Sequence, residues 1–247
     1  MAEEKKKKVV AAASAETKAA PKKEASEKTM KEAKPVGNAG GLRAGAIICW
    51  ILALVCEAIG ILSLFGKINI TFMNTLTLVI VVLVVDLIFV IIGSQLWKKA
   101  NHIDPASKKN KVKFFLWNNM GVIVCILAFL PYIILILKDK DNFDKKTKTI
   151  AAVAAVVALM IGGLTSIDYN PVSEEELNAA VQTIDGDVYW TQFGKVYHTS
   201  EECQHLNNSD TIIYGSVEQA IAATPSKTRL CKTCADRDNI EGVATNE

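Results

Sequence analysis

No basic residue interrupts any of the chain's four long apolar stretches, and no apolar stretch follows directly on its start. The second absence argues against a secretory signal. Such a signal has a short basic start that runs straight into an apolar stretch and a small-residue cleavage site, whereas about forty mostly polar residues come first here. No aromatic residue accompanies the lysine run at positions 5–8. That run therefore lacks a stacking platform for single strands, and nucleic acid is not indicated as a partner. The polar C-terminal region holds three cysteines, which cannot all pair with one another, so a disulfide framework is disfavoured. No thioredoxin-like βαβ pattern surrounds them, which argues against a redox pair as well. No internal repeat and no broken apolar segment is found, and transporters usually show one of these. Nothing in the sequence marks a reaction, and no enzyme activity is read from it.

The net charge of +2 hides a strong segregation. Residues 1–41 carry ten lysines against six acids, a balance of +4, whereas residues 167–247 carry five basic residues against fourteen acids, a balance of −9. Residues 1–43 are rich in Lys, Glu and Ala. Such a segment buries too little apolar surface to offset its ordering entropy, so it is expected to be a disordered tail. The favoured reading of its lysines is a solvated face that helps set topology, with contact to anionic lipid headgroups as the alternative.

A membrane-crossing helix needs roughly 20 mostly apolar residues, because each adds about 1.5 Å against a hydrocarbon core of about 30 Å. Four stretches qualify: 44–65, 75–97, 114–137 and 149–167. The lipid bilayer is therefore the first expected partner, and the reading is a multi-pass protein of the cell membrane. The fourth stretch is the shortest, and its small residues, including Gly162 and Gly163, suit close packing against a neighbouring helix. Orientation follows the Lys/Arg count. An inside N-terminus gathers the Lys-rich tail with Lys98, Lys99, Lys108, Lys109, Lys111 and Lys113 on the inner side. The outer side holds Lys67 and a 138–148 loop whose five lysines are offset by Asp139, Asp141 and Asp144. Both termini are then cytoplasmic. Trp50, Trp97 and Trp117 fall near the inner ends of the first three spans, as in an interfacial aromatic belt. Asn69-Ile-Thr71 matches a glycosylation acceptor and is read as a chance occurrence.

Glu57 lies within the first span and Asp86 at the middle of the second. Ionisable groups at such depth are costly and mark candidate sites. With no basic residue in any span, both are expected to be protonated and hydrogen-bonded. One reading is an interhelical hydrogen bond that fixes helix pairing. The alternative is a small ion or proton transporter using these two carboxyls.

Beyond the spans, residues 173–184 read as a short acidic helix in a 168–185 linker, with Glu174, Glu175 and Glu176 in its first turn, where carboxylates suit the helix dipole. Asp185-Gly186 breaks it. Residues 187–191 and 195–198 alternate and are rich in Val, Tyr and Trp, so they read as a β-hairpin, with a third strand at 211–214. Ser216-Val-Glu-Gln219 resembles a capping box that opens a helix ending before Pro225. Cys231-Lys-Thr-Cys234 is a knuckle from which two thiolates can bind one ion. His198 and Cys203 can supply two more ligands. Four soft N/S donors suit tetrahedral zinc with a closed shell. His205 is the rival fourth ligand, although its position two residues after Cys203 is awkward for one tetrahedral centre. A thiol-based redox or metal sensor is a further alternative.

Val188-Tyr-Trp-Thr191, Gly194-Lys-Val-Tyr-His198, Cys203-Gln-His-Leu206, the helix at 216–222 and Cys231-Lys-Thr-Cys234 together resemble a small zinc-binding module. It is found at the C-termini of bacterial secreted nucleases and competence-related membrane proteins, and its fold is similar to the metal-binding domain of the Ada DNA-repair protein. The resemblance covers about residues 186–236 and implies zinc at His198, Cys203, Cys231 and Cys234. In Ada all four ligands are cysteines and one accepts a methyl group. Here one position is His, so methyl-acceptor chemistry does not follow. The expected fold class is an all-α four-helix transmembrane region, 44–167, followed by a small α+β zinc-binding module, 186–240, that docks a protein partner or ligand through a structural zinc.

Overall fold

The computed structural model describes residues 8–11, 36–65, 67–68, 74–138 and 145–246. Where the N-terminal tail is described it departs from the expected disorder, because 8–11 pair with a strand of the C-terminal region and the first helix already starts at Ala39; the rest of the tail, with the expectation for it, lies outside the described residues. The glycosylation acceptor at 69–71 and most of the 138–148 loop lie outside them too. The chain divides into two compact units, one of Asn38–Asn101 with Asn110–Tyr169, the other including His102–Lys109 and Asn170–Glu247.

The first unit is four helices, α1 (Ala39–Leu64), α2 (Thr75–Ile103), α3 (Lys111–Lys138) and α4 (Lys145–Ser166), each long and apolar enough to cross a membrane. They run past the apolar stretches at several ends because polar caps and long basic side chains extend a helix beyond hydrocarbon. Asn38 caps α1, its Oδ1 accepting from the Gly41 N–H at 2.7 Å. Pro131 lies inside α3 without ending it. Large apolar side chains such as Ile48, Leu127 and Leu164 are exposed, an outer surface suited to lipid.

The most extensively packed pair is α3 with α4. Ala151, Ala155, Ala158, Gly162 and Ser166 recur at helical spacing and are buried. Cys125 donates across the seam to the Leu159 carbonyl at 3.6 Å. Of the two glycines read as packing residues, only Gly162 is used this way. A Cβ there would lie 2.8 Å from Cys125 Sγ and 3.2 Å from Leu87 Cδ1, whereas a Cβ at Gly163 meets no described atom within 4 Å. Carbonyls left over at the end of α4 are satisfied from α2: Lys98 Nζ donates to Thr165 O at 2.7 Å and Gln95 Nε2 to the same oxygen at 3.1 Å. The tryptophans cluster, with ring centroids 5.3 Å apart for Trp50–Trp97 and 5.6 Å for Trp97–Trp117 and the planes tilted by 37° and 60°, and Arg43 lies 5.9 and 6.0 Å from the rings of Trp97 and Trp117. Placing three indoles at one level on neighbouring helices lets them bury against each other, and Trp50 and Trp97 are buried.

The second unit begins its C-terminal part with α5 (Glu174–Thr183). Ser173 and Glu176 form a reciprocal capping box at its start. Gly186, at φ +98°, turns the chain after it. Then come β2 (Val188–Trp190), β3 (Val196–Tyr197), a 3-10 turn (Gln204–Leu206), β4 (Thr211–Gly215), α6 (Val217–Ala222), β5 (Arg229–Leu230) and α7 (Lys232–Asp238). β4 lies between β2, antiparallel to it, and β1 (Lys8–Ala11), parallel to it. β3 and β5 pair in parallel. The expected hairpin is present but short: β2 and β3 meet through Tyr189 and His198, whose backbones exchange bonds of 2.7 and 2.8 Å. The capping box at Ser216 and Gln219 is present. Val188, Trp190, Tyr197, Leu206, Ile212, Ile221 and Leu230 form the core. Lys227 is only 1% exposed, and its ammonium donates to the carbonyls of Gln192 at 3.0 Å and Pro225 at 2.5 Å.

Two outcomes are expected. Gly162→Leu forces a side chain into the α3–α4 seam and costs at least about 1–3 kcal/mol, seen as a lower thermal midpoint in detergent, while Gly163→Leu leaves the midpoint unchanged. Burial pushes the Lys227 ammonium down to about 8 from 10.5. The folded unit then binds fewer protons than the unfolded chain between those values, so stability rises as pH climbs through that window. Lys227→Met removes this rise, which chemical denaturation of the metal-loaded protein measures.

Candidate metal centre

Four side chains from three places in the second unit converge. His198 follows β3 directly and is held by its backbone bridge to Tyr189. Cys203 stands at the start of the 3-10 turn, its carbonyl accepting from the Leu206 N–H at 2.8 Å. Cys231 and Cys234 form the knuckle where β5 passes into α7. The Cys231 N–H donates to Tyr197 O at 2.9 Å, which ties the knuckle to β3. The N–H groups of Cys234 and Ala235 fold back on the Cys231 carbonyl at 3.0 and 2.9 Å. This tight turn aims both thiols the same way.

One ligand atom from each of His198, Cys203, Cys231 and Cys234 lies within 4.8 Å of all the others. His198 Nδ1 and Cys234 Sγ are 3.8 Å apart. A tetrahedral zinc with ligands at about 2.0–2.3 Å sets their mutual separations at about 3.3–3.8 Å, so the four atoms need only a small inward shift to bind one ion. All four residues are buried, at 1–4% exposure, and no described cysteine is in a disulfide. His205 is not part of the group. It is exposed, its Nε2 lies 3.1 Å from Thr233 Oγ1, and its ring centroid is 6.4 Å from that of His198.

Without an ion, Cys203 and His198 are held neutral. Burial pushes the Cys203 thiol up to about 11, with Cys234 and Cys231 acting in the same direction against the His205 backbone N–H. Burial, aided by the nearby His205, pushes His198 down to about 4. A dication reverses this preference at the thiols, because only the thiolate binds it, so uptake releases protons. Arg237, which sequence reasoning missed, lies within electrostatic range of Cys234 and Cys203. It is fixed by Asp238, with Nε–Oδ1 at 2.7 Å, and by Thr199 at 3.0 Å, the residue after His198. No local spacing signals this, since Thr199 and Arg237 stand far apart in the chain.

Comparison with family models, with curated proteins and with solved structures returned no match to the chain. The chemistry of the group therefore stands on its geometry. Four donors are enough to fill a tetrahedral shell, none is a carboxylate, and the set would favour a borderline-soft ion.

We expect the purified full-length protein to bind one zinc per chain, with proton release on reloading. His198→Ala should weaken binding by at least about tenfold, the lower end of what loss of an outer-shell partner alone costs, while His205→Ala leaves it unchanged. Competition with a chromogenic chelator measures both.

Proposed function

We propose that this is a cell-membrane protein carrying a cytoplasmic module whose zinc is structural and whose surface docks a protein partner. The observation that carries this reading is the closed set of four buried, converging donors. A catalytic zinc keeps one position for water or substrate, and this set supplies all four. The order of β2, β3, the Cys203 turn, α6 and the knuckle supports the resemblance to the Ada-like zinc module. A unit of this size has a small core, and metal binding would supply much of its folding energy. The lysine count supports the cytoplasmic placement of both termini.

Docking is supported by exposed aromatics of the kind that anchor interfaces. Phe193, in the turn between β2 and β3, is 81% exposed. Tyr189 and Tyr214 stack across the β2–β4 pair with ring centroids 6.4 Å apart. The charge of −9 over residues 167–247 favours a partner with a basic face. A photo-cross-linking amino acid at Phe193 of the full-length protein in its native membrane should give a discrete protein adduct. Cys231→Ser, which breaks the zinc site, should abolish it. Absence of any adduct at Phe193 and at Tyr214, or an adduct indifferent to Cys231→Ser, would reject zinc-dependent docking.

A further inference from the structure

The helical unit brings together three polar groups that the metal centre does not use. Glu57 on α1, Asp86 on α2 and Tyr132 on α3 are 8, 3 and 4% exposed. Asp86 Oδ1 and the Tyr132 hydroxyl are buried with no hydrogen-bond partner among the described residues. Asp86 is within electrostatic range of Glu57 and Tyr132, and also of the thiols of Cys56 on α1 and Cys125 on α3.

Gly60 shows how the three helices allow this. It stands one turn after Glu57, and a Cβ there would lie 3.3 Å from Tyr132 Cε2, 3.8 Å from its hydroxyl and 3.4 Å from Val82 Cγ1. Val82 stands one turn before Asp86, and residues three or four apart share a helix face. The missing side chain at Gly60 thus makes room for the phenol where the Glu57 and Asp86 faces meet.

We propose that Glu57, Asp86 and Tyr132 form an intramembrane site for a small cation taken up in exchange for protons. The three named donors are oxygens, the set that hard cations prefer, whereas the neighbouring Cys56 and Cys125 thiols suit softer ions. No Lys, Arg or His lies in any of the four apolar stretches to supply an internal counter-charge. Net charge is costly in an apolar surround, so the balancing charge must come from an exchangeable ion. For each positive charge taken up, one carboxylic O–H bond breaks, its electron pair stays on the oxygen that meets the cation, and the proton leaves to water. Tyr132 contributes a neutral lone pair. A pair of carboxyls serving only to lock the helices would hydrogen-bond the polar atoms around them, yet Asp86 Oδ1 and the Tyr132 hydroxyl are left bare.

The test uses dicyclohexylcarbodiimide, an apolar reagent that forms an N-acylurea with protonated carboxyls in hydrocarbon, on the full-length protein in phosphatidylcholine liposomes. Modification of Glu57 and Asp86 is followed by mass spectrometry in Li+, Na+, K+, Mg2+ or Ca2+ chloride, with choline chloride at equal ionic strength as reference. The expected result is labelling that one of these cations slows at least about tenfold. Tyr132→Phe, which keeps the ring, should raise the concentration for half-protection about tenfold, the effect of one contact worth about 1.4 kcal/mol. Glu57→Gln should abolish protection while Asp86 still labels, with helix content unchanged by circular dichroism. Labelling equally fast in every salt, or no labelling in any, would overturn the proposal, as would a Tyr132→Phe protein protected like the wild type.

Discussion

Three thiols and an imidazole held within 4.8 Å of one another are the point on which the C-terminal unit depends. The ligands come from the end of β3, from the turn before the 3-10 helix and from the knuckle after β5, and the two strands concerned are two residues long each. A pairing only two residues long contributes too few ladder bonds to hold a fold together. An ion bound to all four would make one cross-link of three chain segments, and its ligation would add to the folding energy. The buried core of Trp190, Tyr197, Leu206 and Leu230 lies in the same unit, so apolar burial and ligation reinforce each other.

In the helical unit the governing constraint is different. Backbone groups in hydrocarbon must find partners within the protein, which four continuous helices provide. With lipid as apolar as leucine, helices associate through close packing and a few polar contacts. The α3–α4 seam shows both, in a row of Ala and Gly on α4 and in the Cys125–Leu159 contact, and Ser166 of α4 also donates to Ser94 of α2 at 2.9 Å. Lys98 and Gln95 act at the end of α4, where leftover carbonyls attract donors.

The legible parts of this protein are those whose signal is local or repeated. Twenty apolar residues state a spanning helix without help from their neighbours, and all four such helices stand where the hydropathy puts them. Ser173 with Glu176, and Ser216 with Gln219, are complete capping signals within four residues, and both form. The Cys and His cluster was legible because soft donor chemistry narrows the choice to a few residue types, and His205 is set aside because it stands two residues after Cys203. The illegible parts depend on residues distant in the chain. Helix α7 carries a polar sequence with only Cys234 and Ala235 buried, so no apolar period announces it. The Arg237–Asp238–Thr199 group, the burial of Lys227 and the clustering of three tryptophans each require knowledge of which segments meet. Gly162 and Gly163 are adjacent and identical, and only helix rotation decides which one faces a neighbour.

The acidic run at the start of α5 bears on how the chain is threaded. Read alone, Glu174, Glu175 and Glu176 satisfy a helix dipole. In the structure they also bind the loop joining α2 to α3: the Ser107 hydroxyl and the Lys108 N–H both donate to Glu175, Lys108 Nζ pairs with Glu176 at 2.6 Å, and the Glu174 N–H donates to Ala106 O at 3.3 Å. The Ser107 and Lys108 contacts hold Glu175 down to about 2, so it stays ionised wherever the protein is folded near neutrality. The exposed ion pair itself is worth little. Its meaning lies in where it falls. The α2–α3 loop and the segment after α4 are separated by α3 and α4, so they can share one unit on one side of a bilayer only if the chain crosses an even number of times between them. Two crossings, by α3 and by α4, satisfy this, and a surface-lying α4 would not. The fourth and shortest apolar helix is thereby supported as a span by contacts made well outside it.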